Sequence, residues 1–496
     1  MADLSPRALA RALACSGLIL LISLPAQPAA AEPADATVGP SDSAQTDAIP
    51  PPPATPPTDP RPSTDDARPP TDTEPVSRTP PTKRPPATRE PDRFSGRPDR
   101  DRDGSERRDA EVGVASFAVG TLFDLAARRR AQGARTYVEG EAIVEVASSL
   151  PPAEVDALES RHRLRGIDLL VSDLTSSTWI LVETPGRSTD AAVRELQADP
   201  EVLSAEPNQL FVLQDAPRPS SPPATEYAQA KLQLPEAHRL ATGEGVLVAV
   251  IDSAVDAGHP ELRGAIAKTY DIVGGPAAPH GHGTAIAALI VGHARLLGAA
   301  PAAHILSARA FEAQNDGGAR GDGFRVMKAV QWAAANGARV INMSFAGPFD
   351  PGIHSYLDGA YRRGVVLIAA AGNGGHRSAP LYPGADPDVI AVTATDNADN
   401  IWAGANRGAY IGLAAPGVDV LVAAPNGAYD LSTGTSVSAA EVSGVAALLL
   451  QRRPNLTPAE IRSLLLSTAT PLAPSAPRLA DAYRAVAAVA PSPTGR

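Results

Sequence analysis

Three short segments hold a carboxylate, an imidazole and a hydroxyl in settings that suit catalysis. Asp252 ends the apolar run Val246–Ile251, His282 lies between two glycines, and Ser436 follows Gly434 and Thr435. A serine hydroxyl becomes a nucleophile when a histidine takes its proton. A carboxylate can fix the tautomer of that histidine and stabilise its charged form. Aspartate, histidine and serine in this order along the chain are one of the known orders of such a triad.

Each of these residues also has a simpler interpretation. Asp252 could cap the turn that follows it, and Ser436 could be an ordinary N-cap of the predicted helix Val437–Leu450. His280 and His282 could form a metal pair, but no further ligands cluster with them. At the start of a helix the oxygen of Ser436 is expected to be exposed, beside free N–H groups that can hold an oxyanion.

The three segments lie in a region where apolar strand-like runs alternate with helical stretches. Nearly continuous Val, Ile and Ala runs indicate strands that are buried on both faces, as in a parallel sheet covered by helices. The runs are Val246–Ile251, His304–Ala308, Val340–Met343, Val365–Ala369 and Val389–Val392. A helix is predicted at Phe324–Asn336, where Gly337 stops it. The fold class is therefore α/β, and this domain is expected at residues 227–489.

Residues 135–214 show a different pattern, typical of a small α+β unit. Strand-like and helical stretches follow one another in the order β-α-β-β-α-β, which is the split βαβ, or ferredoxin-like, arrangement. The predicted elements are a strand at Glu141–Val146, a helix from Pro151, strands at Gly166–Val171 and Thr178–Val182, a helix at Thr189–Leu196 and a strand at Gln209–Leu213. The proline-rich residues 215–226 are expected to be a linker.

The remaining segments are predicted from composition. Residues 1–31 have arginines, a short apolar run and a small-residue site, which is typical of a signal peptide. Residues 32–110 are rich in proline and charge and are expected to be disordered. Residues 111–134 are an apolar and basic segment without an assignment, and residues 490–496 form a C-terminal tail.

Charge and cysteine content exclude several classes of function. The net charge is −11 and no long basic block exists, which argues against nucleic-acid binding. The single cysteine, Cys15, falls in the predicted signal peptide, so the mature chain has neither a disulfide, a Cys-ligated metal nor a thiol nucleophile. An esterase is disfavoured because Ser436 lacks the Gly-x-Ser-x-Gly frame.

Five motifs in a fixed order resemble those of the subtilase family of serine proteases. The likeness covers about residues 227–489. The motifs are Ala249–Asp252 with His259–Leu262, His282–Thr284, Val340–Ser344, Ala370–Asn373, and Gly434–Ser436 with Gly444–Leu448. The chain departs from the family pattern at Ala254, Val437, Ser438, Ala440 and Glu441, none of which removes a catalytic group.

The resemblance implies roles for individual residues. Asp252, His282 and Ser436 would be the catalytic triad, and Asn373 would form the oxyanion hole with the backbone N–H of Ser436. The substrate would lie against Ser344, Phe345, Ala346, Gly347, Ala371 and Gly372. Residues 135–214 are similar to the inhibitory prodomain of the family, so processing is expected within residues 214–226.

The sequence therefore predicts a secreted serine endopeptidase, extracellular or periplasmic, that is made as a self-processing zymogen. Its partners would be protein or peptide substrates and its own prodomain, and the enzyme would be a monomer without a transmembrane segment apart from the signal peptide. The chemistry needs no cofactor. Structural calcium stays open, with the loop Asn315 to Asp322 as a candidate. The alternative is an inactive subtilase-like protein of the cell envelope that binds peptides.

Overall fold

The computed structural model describes residues 136–214, 227–315 and 317–490. The predicted signal peptide, proline-rich segment, apolar and basic segment, linker and C-terminal tail after residue 490 lie outside the described residues. Within them, no helix combines the length and the apolar composition needed to cross a membrane.

The first described region is an α+β unit in the predicted order. Its elements are β1 (Tyr137–Ala147), α1 (Pro152–Arg161), β2 (Arg165–Ser172), β3 (Ser177–Glu183), α2 (Thr189–Gln197) and β4 (Val202–Leu213). The strands pair antiparallel in the order β2-β3-β1-β4. Alternate residues such as Val144 and Ile180 face the two helices and form a core of their own. The described elements follow the order β-α-β-β-α-β that the sequence predicts.

The second region is the larger α/β unit. Its helices are α3 (Tyr227–Lys231), α4 (Leu234–Ala237), α5 (Gly281–Val291), α6 (Gly323–Ala335), α7 (Pro351–Arg362), α8 (Thr435–Arg452), α9 (Pro458–Thr468) and α10 (Ala482–Ala487). Its strands are β5 (Leu247–Asp252), β6 (Ile266–Asp271), β7 (His304–Arg309), β8 (Glu312–Ala313), β9 (Ala319–Asp322), β10 (Val340–Met343), β11 (Phe345–Ala346), β12 (Val366–Ala370), β13 (Val389–Thr395), β14 (Ile411–Pro416), β15 (Val420–Ala424), β16 (Ala428–Ser432) and β17 (Arg478–Leu479).

Eight of these strands form one parallel sheet in the order β17-β14-β13-β12-β10-β5-β7-β6. Side chains of β5 alternate between its two faces: Val248 and Val250 join a core with α5 and α8, whereas Ala249 and Ile251 join a core with α6 and α7. Both faces of the sheet are therefore covered by helices, as the continuous apolar runs predict.

Strand β4 joins the two regions. Its first part pairs with β1 inside the α+β unit, while residues 210–213 pair antiparallel with β9 on one side and with β11 on the other. The sequence predicts only the last part of this strand, Gln209–Leu213. The observed strand begins at Val202, because residues with polar side chains continue the ladder to β1.

The sheet of the α+β unit also packs on α6 and α7. Trp179 of β3 meets Tyr356 of α7 edge to face, with ring centroids 5.8 Å apart, and both side chains are buried. The two helices begin at side-chain caps, since Asp322 accepts from Arg325 N and Asp350 accepts from Ile353 N. The N-terminal ends of both helices contact the middle of β4, where Asn208 accepts from Phe324 N and Glu206 accepts from Gly352 N.

Candidate active site

Asp252 and His282 meet at the carboxyl edge of the parallel sheet. Asp252 is the last residue of β5, and its Oδ1 lies 2.8 Å from Nδ1 of His282. The same oxygen accepts hydrogen bonds from the backbone N–H (2.7 Å) and the hydroxyl (3.0 Å) of Ser253. Both side chains are buried, so this carboxylate holds the imidazole in place by a hydrogen bond that solvent does not weaken.

The start of α5 fixes the position of His282. His280 is the N-cap of this helix, and its Nδ1 accepts from His282 N. A Cβ on Gly283 would lie 2.6 Å from the carbonyl oxygen of Ser253, so only glycine lets the helix approach the end of β5 this closely. His280 therefore supports the helix, and the predicted alternative of a His280–His282 metal pair gains no further ligand in the described residues.

Helix α8 begins at Thr435, two residues before the predicted start at Val437, so Ser436 is its second residue, and it is buried rather than exposed. The residue that covers it is Gln214, which directly follows β4. The Oγ of Ser436 donates a hydrogen bond of 2.5 Å to the carbonyl oxygen of Gln214. The nucleophile candidate is thus in contact with a peptide group of the chain itself.

Asn373 donates to the same carbonyl oxygen. Its Nδ2 lies 2.9 Å from the oxygen of Gln214. The other end of the amide is fixed, because its Oδ1 accepts from the backbone N–H (3.1 Å) and the hydroxyl (2.8 Å) of Thr435. Thr435 therefore presents the amide nitrogen of Asn373 toward the carbonyl, which is the arrangement of an oxyanion donor.

The predicted substrate strand Ser344–Gly347 lies along the end of β4. The carbonyl oxygen of Ser344 accepts from the backbone N–H of Gln214 at 3.1 Å. Phe345 and Ala346 pair antiparallel with Leu213 and Val212. The residues Leu210–Gln214, named here the cleft segment, are thus held like an added strand.

The predicted substrate residues Gly347, Ala371 and Gly372 differ in how they relate to the cleft segment. A Cβ on Gly347 would lie 2.5 Å from the ring of Phe211, so this glycine makes room for an aromatic side chain. Ala371 and Gly372 precede Asn373 at the end of β12, and their hydrogen bonds go to Tyr410, Asn406 and Thr435 rather than to the cleft segment.

The second strand that flanks the cleft segment was not predicted. Strand β9 pairs with Leu210, Phe211 and Val212 on the side opposite β11. Its sequence, Ala-Arg-Gly-Asp, is short and polar, so periodicity cannot reveal it. Asp322, which the sequence offers as a calcium ligand, caps α6 and pairs with Arg325 instead. Asp316 of that loop lies outside the described residues.

A buried chain of hydrogen bonds behind Ser436 was also not predicted. Ser443 of α8 donates to Asn342, Asn342 donates to Ser344, and Ser344 donates to the carbonyl oxygen of Ser436. This chain connects the start of α8 to the substrate strand. Because every link is buried, it fixes Ser436 relative to the strand against which the cleft segment lies.

Two departures from the family pattern, Ser438 and Glu441, are buried residues of α8. Glu441 is fully buried in α8, and burial raises its pKa well above the usual value for a carboxyl group. Burial thus disfavours the charged form of this side chain. Ser438 donates to the carbonyl oxygens of Ala415 and Pro416, which ties α8 to the end of β14.

The comparisons with known proteins agree with this geometry. The subtilase family profile matches residues 243–484. Thermitase of Thermoactinomyces vulgaris is 33% identical over 252 residues, which are 49% of this chain and 88% of thermitase. Subtilisin E of Bacillus subtilis is 32% identical over 299 residues, 57% of this chain and 74% of that protein.

A solved structure shares the fold. Fervidolysin from Fervidobacterium pennivorans superposes with a TM-score of 0.61 at 24% identity, over 72% of this chain and 62% of that one. The fold and the matched sequence define a subtilisin-like serine protease. The chain belongs to the subtilase family, whose members are serine endopeptidases with an Asp-His-Ser triad.

Proposed function

We propose that this protein is a secreted zymogen that cuts its own chain between Gln214 and Asp215. The observation that carries the proposal is the position of the Gln214 carbonyl, whose oxygen is held by Ser436 Oγ and by Asn373 Nδ2. The predicted processing region, residues 214–226, narrows to its first peptide bond. Asp252, His282 and Ser436 are the proposed triad, and Asn373 is the proposed oxyanion donor.

The chemistry follows from these contacts. With Nδ1 of His282 donating to Asp252, Nε2 carries the lone pair that takes the proton of Ser436. Ser436 Oγ bonds to the carbonyl carbon of Gln214, and the oxygen becomes an anion that Asn373 stabilises. The bond to the nitrogen of Asp215 then breaks, and His282 gives the proton to that amine. Water, deprotonated by His282, releases Gln214 as a carboxylate and restores Ser436.

After the cut, the α+β unit would act as an inhibitor that still fills the cleft. The cleft segment keeps its pairing to β9 and β11, and Trp179 stays packed against Tyr356. A product that binds this widely blocks access for other chains until it leaves. Large sheets with many non-local contacts also fold slowly, and a unit that binds the native α6 and α7 lowers that barrier.

Secretion is part of the proposal because of the sequence of residues 1–31, which is typical of a signal peptide. Substrates would be proteins and peptides that add a strand between β9 and β11. One copy of the chain supplies every group that the mechanism uses, so the working enzyme is proposed to be a monomer.

The test compares the full chain with Ser436→Ala and with Ser467→Ala, an exposed serine of α9 as the matched control. Intact mass and hydrolysis of a general protein substrate are followed over time. Loss of the serine lowers turnover of subtilisin by about a million-fold. We expect wild type and the control to process themselves and digest substrate, whereas Ser436→Ala does neither. Processing by a folded Ser436→Ala chain would contradict the proposal.

The alternative, an inactive peptide-binding subtilase, is not favoured. It would need a missing or misplaced group, yet Asp252 bonds His282, and Ser436 and Asn373 meet on one carbonyl. The same experiment separates the two, because a binding protein leaves wild type and Ser436→Ala equally intact.

A further inference from the structure

The side chain of Gln214 is itself bonded inside the cleft. The residue is fully buried, although glutamine is a residue type that is mostly exposed in proteins. Its Oε1 accepts a hydrogen bond of 2.9 Å from the backbone N–H of Asn373. Its Nε2 donates at 3.1 Å to the carbonyl oxygen of Val212. Both polar ends of the amide are thus satisfied without solvent.

The donor on the enzyme side is a fixed feature of the cleft. Asn373 N belongs to the backbone that follows β12, and the side chain of the same residue is the proposed oxyanion donor. Any residue that takes the place of Gln214 therefore meets this N–H. Leaving a buried donor without an acceptor costs free energy, whereas a satisfied one does not.

Hydrogen bonding and charge at this position distinguish glutamine from residue types of similar size. Leucine has a similar size but no acceptor, so the N–H of Asn373 would stay unpaired. Glutamate has an acceptor but would bring a charge into a buried position, and no Lys, Arg or His in the described residues bonds the Gln214 side chain. Asparagine is one methylene shorter, so its oxygen falls short of the donor.

We propose that the backbone N–H of Asn373 makes this protease select glutamine at the residue before the bond that it cuts. The substrate class is therefore polypeptides with an uncharged amide side chain at that position, preceded by apolar residues such as those of the cleft segment. This inference rests on the proposed function, because it takes Gln214 as the residue that donates the acyl group.

The test uses the enzyme that the full chain makes by processing itself. Reporter peptides copy Phe211–Leu213 and carry Gln, Asn, Leu or Glu before the amide bond to the reporter. We expect kcat/KM to be about 10- to 100-fold higher for Gln than for Leu, since a site that hydrogen-bonds a substrate group rejects the analogue that lacks it. Glu should fall below Gln, and Asn between Gln and Leu.

The full chain supplies a second readout, the rate of self-processing in Gln214→Leu and Gln214→Glu. We expect both to process more slowly than wild type, and a faster or equal Gln214→Leu would overturn the inference. So would a Leu peptide that is cut as well as the Gln peptide. Failure of the proposed function looks different, because then the wild-type chain shows no processing that depends on Ser436 with any residue at 214.

Discussion

Two of the contacts between the α+β unit and the α/β unit differ in chemistry. The cleft segment is bound through backbone hydrogen bonds to β9 and β11 and carries no charge. The second, named here the cap contact, consists of Glu206 and Asn208 at the beginnings of two helices. Glu206 Oε1 accepts from Gly352 N of α7 at 3.0 Å, and Asn208 Oδ1 accepts from Phe324 N of α6 at 3.2 Å.

The cap contact contains two buried carboxyl groups in one place. Asp350, the N-cap of α7, lies against Glu206, and one oxygen of each has no donor in the described residues when both are ionised. One shared proton gives the pair a hydrogen bond. The cleft segment therefore carries the peptide bond of the proposed reaction, whereas the carboxyl pair of the cap contact can make the binding of the α+β unit depend on pH.

The largest effect is predicted for a substitution that removes the side-chain donor to the carbonyl of the cleft segment. In Asn373→Ala the carbonyl of Gln214 loses its side-chain donor, while the cap contact is unchanged. We expect kcat for processing and for peptides to fall about 100- to 1000-fold, as for loss of one oxyanion donor in subtilisin. Single-turnover kinetics measure it. A drop confined to KM would instead assign Asn373 to substrate binding alone.

We expect a smaller effect from pH, which changes the affinity for the α+β unit through the cap contact. Burial, followed by the Asp350 charge, raises the pKa of Glu206, and burial raises that of Asp350. The pair also faces Glu145 of β1 and Asp322 of β9, which is paired with Arg325. Separation is expected to expose both carboxyl groups to water and so to lower their pKa values, and the bound state therefore holds more protons than the separated parts.

This difference in bound protons determines how the affinity for the α+β unit changes with pH. The complex is tightest in acid and weakens as pH rises above the ordinary carboxyl range, by at most about tenfold in Kd per pH unit for each proton. Glu206→Gln keeps the acceptor for Gly352 N and should make the pH profile shallower, because only the contribution of Asp350 is left. Retention of the α+β unit during gel filtration measures it, on processed protein whose Ser436 has been blocked with an organophosphate.

The control for this experiment is Glu154→Gln, an exposed acid in the first turn of α1. It should keep the pH profile of wild type. An equally steep profile in Glu206→Gln would show that the carboxyl pair does not control release.

The smallest effect concerns the ion pairs at the edge of the same interface. Lys328 of α6 pairs with Asp168 at 2.7 Å, and Arg363 pairs with Asp173 at 2.9 Å, in each case with partly exposed side chains. Such pairs contribute roughly 0–1 kcal/mol. Lys328→Ala or Arg363→Ala should raise Kd less than about fivefold, and salt should reduce the difference. A larger loss would mean that charge, rather than the two named contacts, holds the unit.

Sequence reasoning predicted the elements that apolar periodicity specifies. The strand Val340–Met343 has the predicted bounds, and the four other predicted strands of the parallel sheet, β5, β7, β12 and β13, differ by only a few residues at their ends. The buried strand β14 of the same sheet was not predicted. Sequence reasoning missed strands that are short or polar, such as β9 and the edge strand β6. These strands are defined by pairing with a strand distant in sequence and not by their side-chain pattern.

The candidate site shows the same division. Motifs identified Asp252, His282, Asn373 and Ser436, because short glycine-flanked segments carry them. The contact of Gln214 with Ser436 joins residues 222 positions apart and depends on how β4 threads between two strands, which one sequence does not specify. The same reason explains why the burial of Ser436 was not predicted.

The most direct test of the account is the position of the first cut. Processing is slowed by Asn373→Ala, and the earliest large fragment is identified by intact mass and N-terminal sequencing before further trimming. The account predicts a fragment that begins Asp215-Ala216-Pro217 and a smaller one that ends at Gln214. A first cut at any other bond would contradict it, because the carbonyl that Ser436 and Asn373 hold would then not be the one that reacts.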